Sequence, residues 1–275
     1  MAQLGYKVLN PIDEVLSYFM SHRNENIFGL KENEYGLVRY GEPDDRSEFC
    51  FRWSEGENKD LRYRTYKSDL LGQIKPINIE QQMAFDLMQS DCLIKCLTGI
   101  AGGGKDFIMT AHAVQGLLTG KFQRLIWIRN NIEVKDTERL GMLPGEEFDK
   151  LRPYLMPLAD HLGGLHSLNM FIEKGQIEVA HLGYLRGRDL CNSIVYCSEA
   201  ENLTKEHMRI IMTRCSKGTE LWVNGDLKQV DKKVFEGKNN GLTALVDGLS
   251  GSPEFGHVQL RRTERGRIAE LAECL

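Results

Sequence analysis

The sequence predicts an α/β fold in which a mostly parallel sheet has helices on both faces, with a small β-rich module in front of it. Two observations predict the main part. Apolar runs alternate with helical patterns after residue 75, as is typical of parallel strands joined by crossover helices. One of these runs leads into a glycine-rich loop and then a helix. The first 75 residues contain short runs broken by turn residues instead.

These two kinds of sequence pattern predict two domains, 1–75 and 76–275, with Lys75-Pro76 as the junction. In the first, we expect a short amphipathic helix at 11–21, followed by strands. Phe49, Phe51 and Trp53 alternate along one of those strands, and we expect them to form the core of the module, with stacking on RNA bases as the alternative. In the second, the expected elements follow in order. Strands are predicted at 93–98, 125–129, 194–197 and 220–224, and helices at 80–89, 105–118, 145–162, 204–212 and 241–249.

Composition limits the classes of function. The net charge is −4 and the pI about 6.0, so contact with a polyanion requires a local basic cluster rather than a basic molecule. Seven scattered cysteines without a CxxC spacing favour buried thiols over metal ligands or disulfides. We therefore expect a cytoplasmic protein. We also expect neither a signal peptide nor a membrane span, because the start lacks a basic-then-apolar pattern and no long apolar run occurs.

The strongest motif is a G-x-x-x-x-G-K pattern that follows a predicted strand and begins a predicted helix. Its glycines let the backbone curl with amide hydrogens exposed to an anion, and the helix N-terminus and a lysine add positive charge. A flexible turn is the alternative, but the strand-loop-helix context disfavours it. The pattern predicts a phosphate-binding loop whose binding residues are Gly99, Ala101, Gly102, Gly103, Gly104 and Lys105.

Two positions beside this loop depart from the usual pattern. A Ser or Thr hydroxyl normally follows the lysine as a Mg²⁺ ligand, but here the residue is Asp106. The strand at 194–197 normally leads to an Asp, but here it leads to Ser198. One interpretation is an exchange, in which Asp106 and Ser198 hold Mg²⁺ together, since both supply hard oxygen ligands. The other is loss of the metal site, in which case Asp106 would repel the phosphates.

Further motifs follow in a fixed order from residue 76 to residue 275. The chain thereby resembles the PhoH family of P-loop ATPases, in particular the ATPase half of PIN–PhoH fusion proteins. No single motif is specific, whereas the ordered set is. Besides the phosphate-binding loop, the matching residues are 78–81, 128–129, 140–145, 150, 153–154, 184–188, 199–204, 213–214, 224–231, 240–242 and 264–265.

The resemblance implies a core similar to superfamily 1 helicases that uses ATP with Mg²⁺, releases ADP and acts on RNA. It also implies a ring-shaped homo-oligomer, for which a hexamer is one candidate. By the same resemblance, Gln81 would read the adenine edge, with a helix-start surface residue as the alternative. Glu199 would orient or deprotonate the attacking water, unless it is simply a solvated acid after a strand. Asp226 and Gln229 would sense the γ-phosphate or support that water, with a plain turn as the alternative.

Three arginines receive roles from the resemblance. Arg265 would reach a nucleotide, with a subunit boundary as one place for that contact, and stabilise charge on the transferred phosphoryl group. Arg186 and Arg188 flank Gly187 and would contact phosphate or an RNA backbone. The alternative for Arg265 is a solvated helix surface, and for the Arg186–Arg188 pair it is structural ion pairing.

Family members usually have Asp at Ser198 and Ser or Thr at Asp106. Three further departures are Asn130 for Pro, Glu201 for Gln and Gly266 for Ser. These departures bear on turnover more than on binding. The main hypothesis is an ATP-hydrolysing, RNA-acting, PhoH-like protein. The alternatives are a hydrolysis-deficient regulatory or adaptor module and a nucleotide kinase. Residues 1–75 lack the clustered acids of a two-metal nuclease, so any nuclease would be a separate partner.

Overall fold

The computed structural model describes residues 4–10, 12–40, 47–68, 72–129 and 155–264. The chain divides into two compact units. The first comprises Met1–Thr65, Lys75–Gly104 and Val246–Leu275, and the second comprises Tyr66–Ile74 and Lys105–Leu245. The division into domains 1–75 and 76–275 stays a prediction.

Strands and helices alternate along most of the described chain. The strands are β1 Tyr6–Val8, β2 Tyr35–Tyr40, β3 Ser47–Ser54, β4 Glu57–Asp60, β5 Tyr66–Ser68, β6 Gly72–Ile74, β7 Ile94–Gly99, β8 Arg124–Arg129, β9 Ile177–Ala180, β10 Ser193–Ser198, β11 Glu220–Gly225 and β12 Phe255–Leu260. The helices are α1 Ile12–Ser21, α2 Ile79–Met88, α3 Lys105–Leu118, α4 at 155–161, α5 Leu165–Glu173, α6 Lys205–Met212 and α7 Gly241–Leu249.

The N-terminal part of the first unit is a four-stranded sheet in the order β1-β2-β3-β4, which confirms the small β-rich module. Strand β1 is parallel to β2, and the other pairs are antiparallel. Phe51 is fully buried in a cluster with Phe19 of α1, and Phe49 and Trp53 pack against that cluster. The alternating aromatic residues of β3 therefore build a core, as the sequence predicted.

The rest of the first unit contains α2 and the parallel pair β7–β12. Helix α2 begins at Asn78, whose side chain accepts the backbone N–H of Gln81 and so satisfies a donor of the first turn. The Thr98 hydroxyl and Nε2 of His257 lie 2.7 Å apart between the two strands. This hydrogen bond satisfies two buried polar side chains within the strand pair.

The second unit contains four parallel strands in the order β11-β10-β8-β9. Every residue of β10 and β11 is buried, which explains their nearly continuous apolar sequences. Helix α3 packs against β8 and β11. Six parallel-paired strands, two in the first unit and four in the second, together with the crossover helices, confirm the α/β class of the P-loop NTPases.

Sequence patterns did not reveal β9, β12 or α5. Strand β9 has four residues with a mixed burial pattern, and β12 contains Gly256, His257 and Gln259, which make its sequence polar. Helix α5 follows Gly163-Gly164 and has no side-chain cap to mark its start. Part of the predicted helix at 145–162 is observed as α4, and positions 145–154 lie outside the described residues. None of the helices in the described part of the chain has the length and apolar character that crossing a bilayer requires.

Burial lowers the pKa of His257 from 6.5 to about 4, so this unit should lose stability in acid. Between these pH values the unfolded chain binds a proton that the folded chain excludes. The free energy of unfolding therefore shows no loss from His257 above about pH 6.5, and it declines as the pH falls from 6.5 toward 4. His257→Gln should flatten the pH dependence of the unfolding free energy in this window by at most about 1.4 kcal/mol per pH unit.

Urea unfolding at half-unit pH steps measures this change. His166→Gln, at an exposed position in α5, is the matched control and should leave the slope as in the unaltered chain. An unchanged slope in His257→Gln would show that His257 does not cause the acid sensitivity.

Candidate functional site

The loop at 99–104, here called the phosphate loop, follows β7 in the first unit. Gly99, Gly102 and Gly104 have φ values of +126°, +79° and +93°, which side chains rarely allow. A Cβ on Gly99 would lie 1.8 Å from the carbonyl oxygen of Leu260. Glycine is therefore required at Gly99 by close backbone contact as well as by conformation.

Hydrogen bonds hold the phosphate loop in place. The backbone N–H of Ile100 donates to the Leu260 carbonyl at 3.1 Å, and the N–H of Glu264 donates to the Gly102 carbonyl at 3.0 Å. Within the described residues, the backbone N–H groups of Ala101, Gly102 and Gly104 have no acceptor. Three neighbouring unpaired donors suit an anion, because an unsatisfied amide gains most from a charged acceptor.

Gln81 contacts the phosphate loop directly. Its Nε2 donates to the Gly103 carbonyl at 3.1 Å, and its Oε1 accepts the backbone N–H of Ile77 at 3.1 Å. Both ends of the amide are therefore engaged in this structure, and the side chain fixes the position of the loop. The predicted adenine contact would require these bonds to exchange, and it stays a prediction.

In the second unit, Lys105 begins α3 and is only 9% exposed. The next residue, Asp106, lies among three donors from β10 and β11. Its Oδ1 accepts from the Tyr196 hydroxyl at 3.0 Å, from Nδ2 of Asn224 at 2.8 Å and from the Ser198 hydroxyl at 3.2 Å. We call these four side chains the Asp106 cluster.

Strand geometry explains the cluster. Tyr196 and Ser198 are two residues apart on β10 and so lie on the same face. Cys197 pairs with Val223 of β11, so Asn224 stands one position beyond that pair, next to Ser198. Tyr196 and Asn224 were not predicted as site residues. Asn224 stands in one of the matched motifs, and each of the two is a polar side chain one or two residues before the end of a buried strand.

The carboxylate and hydroxyl oxygens of the cluster suit a magnesium ion whose remaining ligands are phosphate oxygens. Asp106 and Ser198 are in direct contact, as the exchange hypothesis requires. All three hydrogen bonds reach Oδ1, so within the described residues Oδ2 remains for a ligand. The described residues contain no group of three His, Cys, Asp or Glu side chains suited to a metal. Mg²⁺ commonly takes only one or two protein ligands and completes its shell with water and phosphate oxygens. The metal role of the pair stays a prediction.

Glu199 directly follows the cluster and is held by Arg129. Nε of Arg129 donates to Oε2 of Glu199 at 3.0 Å, and Nη2 makes a second contact with Oε1. Arg129 ends β8 and pairs in register with Ser198, which brings it beside Glu199. The backbone of Glu199 is left-handed, with φ +54°, and its N–H donates to Oδ1 of Asn224 at 3.2 Å. Arg129 was in a matched motif, but sequence reasoning gave it no role.

A family model for PhoH-like proteins matches residues 73–273, which is more than half of the chain. The chain belongs to the PhoH family. It is 28% identical to Protein PhoH2 of Bacillus subtilis (strain 168) over 98% of this chain and 64% of that protein. It is 36% identical to a PhoH-like protein of Mycobacterium tuberculosis over 74% of this chain and 57% of that protein.

Protein PhoH2 of Mycolicibacterium smegmatis is 32% identical over 70% of this chain and 45% of that protein. The chain thus spans less than two thirds of the length of these curated relatives. Among solved structures, the large terminase of a thermophilic bacteriophage has 13% identity and a TM-score of 0.42, covering 72% of this chain and 50% of that one. The fold assignment rests on the strands and loop described above.

Glu201, which stands where the PhoH family usually has Gln, is a chemically small departure from the family pattern. Burial raises the pKa of Glu201 to about 8, against the opposing effects of hydrogen bonds and of Lys105. A protonated Glu closely matches Gln in shape and can donate one hydrogen bond as Gln does. Below about pH 8, Glu201 is therefore a near equivalent of the Gln that the family usually has there.

Glu201 also positions the turn after β11. Its Oε2 accepts the backbone N–H of Asp226 at 3.0 Å. Asp226 is buried, and its Oδ1 accepts the N–H of Lys228 at 3.0 Å. Gln229 is exposed, and its N–H donates to the Asp226 carbonyl. The structure thus places Asp226 and Gln229 in one turn, and their phosphate-sensing roles stay predictions.

The predicted arginines separate in the structure. Arg188 forms a two-point ion pair with Glu178 of β9, which raises the pKa of Arg188 and lowers that of Glu178 through mutual hydrogen bonding. Arg188 is therefore engaged in a structural ion pair in this structure, which was the alternative to a phosphate or RNA contact. Arg186 is exposed. Arg265, Asn130 and Gly266 lie outside the described residues, as do the motif positions 140–145, 150 and 153–154.

The Asp106–Ser198 contact predicts coupled effects of substitution. Asp106→Thr and Ser198→Asp should each reduce Mg²⁺-dependent ATP affinity about tenfold or more, because the metal pair becomes two hydroxyls or two carboxylates. The double variant restores one of each and should return to within about threefold of the unaltered chain. Fluorescent-nucleotide titrations with and without Mg²⁺ measure the cycle. Independent, additive losses would reject the exchange.

Proposed function

We propose that the chain binds ATP with Mg²⁺, hydrolyses it, and couples this reaction to moving along or remodelling RNA. The observation that carries the proposal is the phosphate loop, with three amide donors that have no acceptor in the described residues, followed directly by Lys105 at the start of α3. Membership of the PhoH family and the hydroxyl–carboxylate contact in the Asp106 cluster support it further.

Each part of the site contributes a distinct step. The loop amides and the ammonium of Lys105 bind the β- and γ-phosphates and balance their charge. Asp106 and Ser198 would hold Mg²⁺, which would neutralise charge on the phosphate oxygens. Tyr196 and Asn224 donate hydrogen bonds that fix the Asp106 carboxylate, so that its second oxygen would be available to the ion.

Glu199 serves the attacking water in this proposal, either by accepting its proton or by orienting it. Its ion pair with Arg129 occupies the carboxylate, so turnover requires that pair to open. We infer that Arg129 restrains Glu199 until the pair separates. Asp226 and Gln229 then report the state of the γ-phosphate, and Arg265 stabilises the charge that develops during transfer.

RNA and self-association are the finer parts of the proposal. With a net charge of −4, the chain must bind RNA through local clusters, and the exposed Arg186 is one candidate contact. The ring-shaped homo-oligomer and a separate nuclease partner follow from the family resemblance.

A second candidate is a nucleotide-binding adaptor that does not hydrolyse ATP. The bidentate Arg129–Glu199 pair favours it, because a permanently engaged Glu199 could not serve water. The two functions differ in phosphate release: an adaptor binds ATP and returns it unchanged.

Lys105→Ala should lower Mg²⁺-dependent phosphate release at least about a hundredfold, because a full charge on the phosphates is lost. Steady-state assays with and without single-stranded RNA measure this, alongside calorimetry of ATP binding. Lys121→Ala is the matched control, since Lys121 is a half-exposed lysine of the same unit paired with Glu220. ATP binding without turnover in the unaltered chain would favour the adaptor, and absence of binding would refute both functions.

Arg129→Gln should raise the rate of ATP hydrolysis without RNA several-fold and reduce its stimulation by RNA, because Glu199 is no longer held. Adding Glu199→Gln should abolish turnover in either background. Arg124→Gln is the control, because Arg124 lies on the same strand and pairs with Glu178 instead. A slower basal rate in Arg129→Gln would contradict the restraint and assign the guanidinium to the reaction itself.

A further inference from the structure

A cavity of about 470 Å³ in the first unit has no role in the reaction described above. It is lined by Arg39, Glu48, Glu80, Arg261 and Arg262. Arg39 lies on β2 and Glu48 on β3, so the N-terminal module supplies two of its walls. Glu80 comes from the first turn of α2, and the two remaining arginines follow β12 directly. We call this cavity the arginine pocket.

Glu80 has a structural task in the pocket. Its carboxylate is only 2% exposed and accepts the backbone N–H groups of Arg261 and Arg262 at 2.6 and 3.2 Å. It also accepts the Tyr6 hydroxyl at 2.9 Å. Three donors satisfy its charge, so Glu80 fixes the chain after β12 and leaves ligand contacts to the other residues.

Glu48 holds two guanidinium groups with one oxygen. Its Oε1 accepts from Nε of Arg39 at 2.9 Å and from Nη2 of Arg262 at 2.8 Å. Within the described residues, Oε2 of Glu48 has no partner. Both arginines remain partly exposed although their positions are set. The pocket thus offers two held, planar cations and one carboxylate oxygen without a partner.

The arginine pocket lies beside the phosphate loop. The carbonyl oxygen of Arg262 is 3.4 Å from the position a Cβ on Gly103 would take. Two residues further, the Glu264 N–H donates to the Gly102 carbonyl. On the other side, Glu80 precedes Gln81, whose amide donates to the Gly103 carbonyl. A single stretch of chain therefore forms both the edge of the loop and a wall of the pocket.

These groups match the chemistry of a nucleobase. Guanidinium planes stack on base faces, and a carboxylate oxygen accepts from an exocyclic amino group. A polyanion such as an RNA backbone fits less well, because the Glu48 and Glu80 carboxylates offset two of the three arginine charges that line the pocket. The volume lies within the range of small-molecule pockets. Gln81 does not compete for this task here, since both ends of its amide are engaged.

We propose that the arginine pocket binds the adenine base of the nucleotide whose phosphates the loop holds. Arg39 and Arg262 stack on the base, and Oε2 of Glu48 accepts from its 6-amino group. This inference rests on the proposed function and deepens it. It gives the N-terminal module a role in recognising the nucleotide.

Calorimetric titration with two ligands tests the proposal. ATP carries the base, whereas inorganic tripolyphosphate offers only the groups that the phosphate loop binds. Arg39→Ala and Glu48→Ala should each weaken ATP binding about tenfold or more and leave tripolyphosphate binding unchanged. Arg23→Ala is the matched control, because Arg23 is an exposed arginine of the same module paired with Asp60. It should change neither affinity.

A third ligand isolates Glu48. Purine riboside triphosphate lacks the 6-amino group, so it should bind the unaltered chain more weakly than ATP does. That difference should shrink in Glu48→Ala. Arg39→Lys keeps the charge but loses the planar group, and it should reproduce the loss of ATP affinity if Arg39→Ala fails to fold.

Three outcomes would overturn the inference. Unchanged ATP affinity in the pocket variants would show that the base lies elsewhere. Equal losses for ATP and tripolyphosphate would show that the variants disturb the phosphate loop. If the unaltered chain bound tripolyphosphate and ATP equally well, no base contact would exist. Failure of the unaltered chain to bind either ligand would instead refute the proposed function, and this inference with it.

Discussion

The close approach of two backbones at Gly99 and Leu260 determines the shape of the first unit around its loop. No side chain fits at Gly99, and the next residue donates its N–H to the Leu260 carbonyl. This contact brings the chain after β12 along the phosphate loop, where Glu264 binds Gly102. The same stretch carries Arg261 and Arg262, so loop and arginine pocket depend on one constraint. The buried Thr98–His257 bond holds the two strands together immediately before it.

The second unit contains two departures from the usual family pattern whose surroundings the structure describes. A hydroxyl and a carboxylate lie in contact at the predicted metal position, with donor and acceptor reversed relative to the usual order in the sequence. Glu201 is a comparable case, because burial favours its protonated form, which resembles Gln. At both places the residue types differ from the motif, but the oxygen atoms and protons that the side chains present are nearly the same.

The Arg129–Glu199 ion pair bears on whether the proposed ATP hydrolysis can take place. Glu199, for which we propose a role toward the attacking water, is engaged by Arg129 of β8. The same two side chains are consistent with the resting state of an ATPase and with an adaptor that does not hydrolyse ATP. The proposed base-binding role of the arginine pocket adds a second link, between nucleotide identity and the N-terminal module. Together they assign the proposed chemistry to groups from several separate segments of the chain.

Local sequence determined the phosphate loop, Lys105, four of the buried parallel strands and the helices α2, α3, α6 and α7. Glycine conformation, hydrophobic runs and helix periodicity act over a few residues, so they can be read directly. Proximity of Asp106 to Ser198 was also predictable, because the order of motifs implied it.

Apart from Asp106 and Ser198, only the tertiary structure decided which side chains of the site meet. Arg129 and Glu199 are 70 positions apart, Asp106 and Asn224 are 118 apart, and Arg262 and Glu48 are 214 apart. Register between β8 and β10 brought the first pair together, and packing of α3 against β11 brought the second together. No local pattern encodes contacts between elements so distant in sequence. The sequence did not predict strand β12, because its own composition is polar. Burial and pairing with β7 stabilise it as a strand.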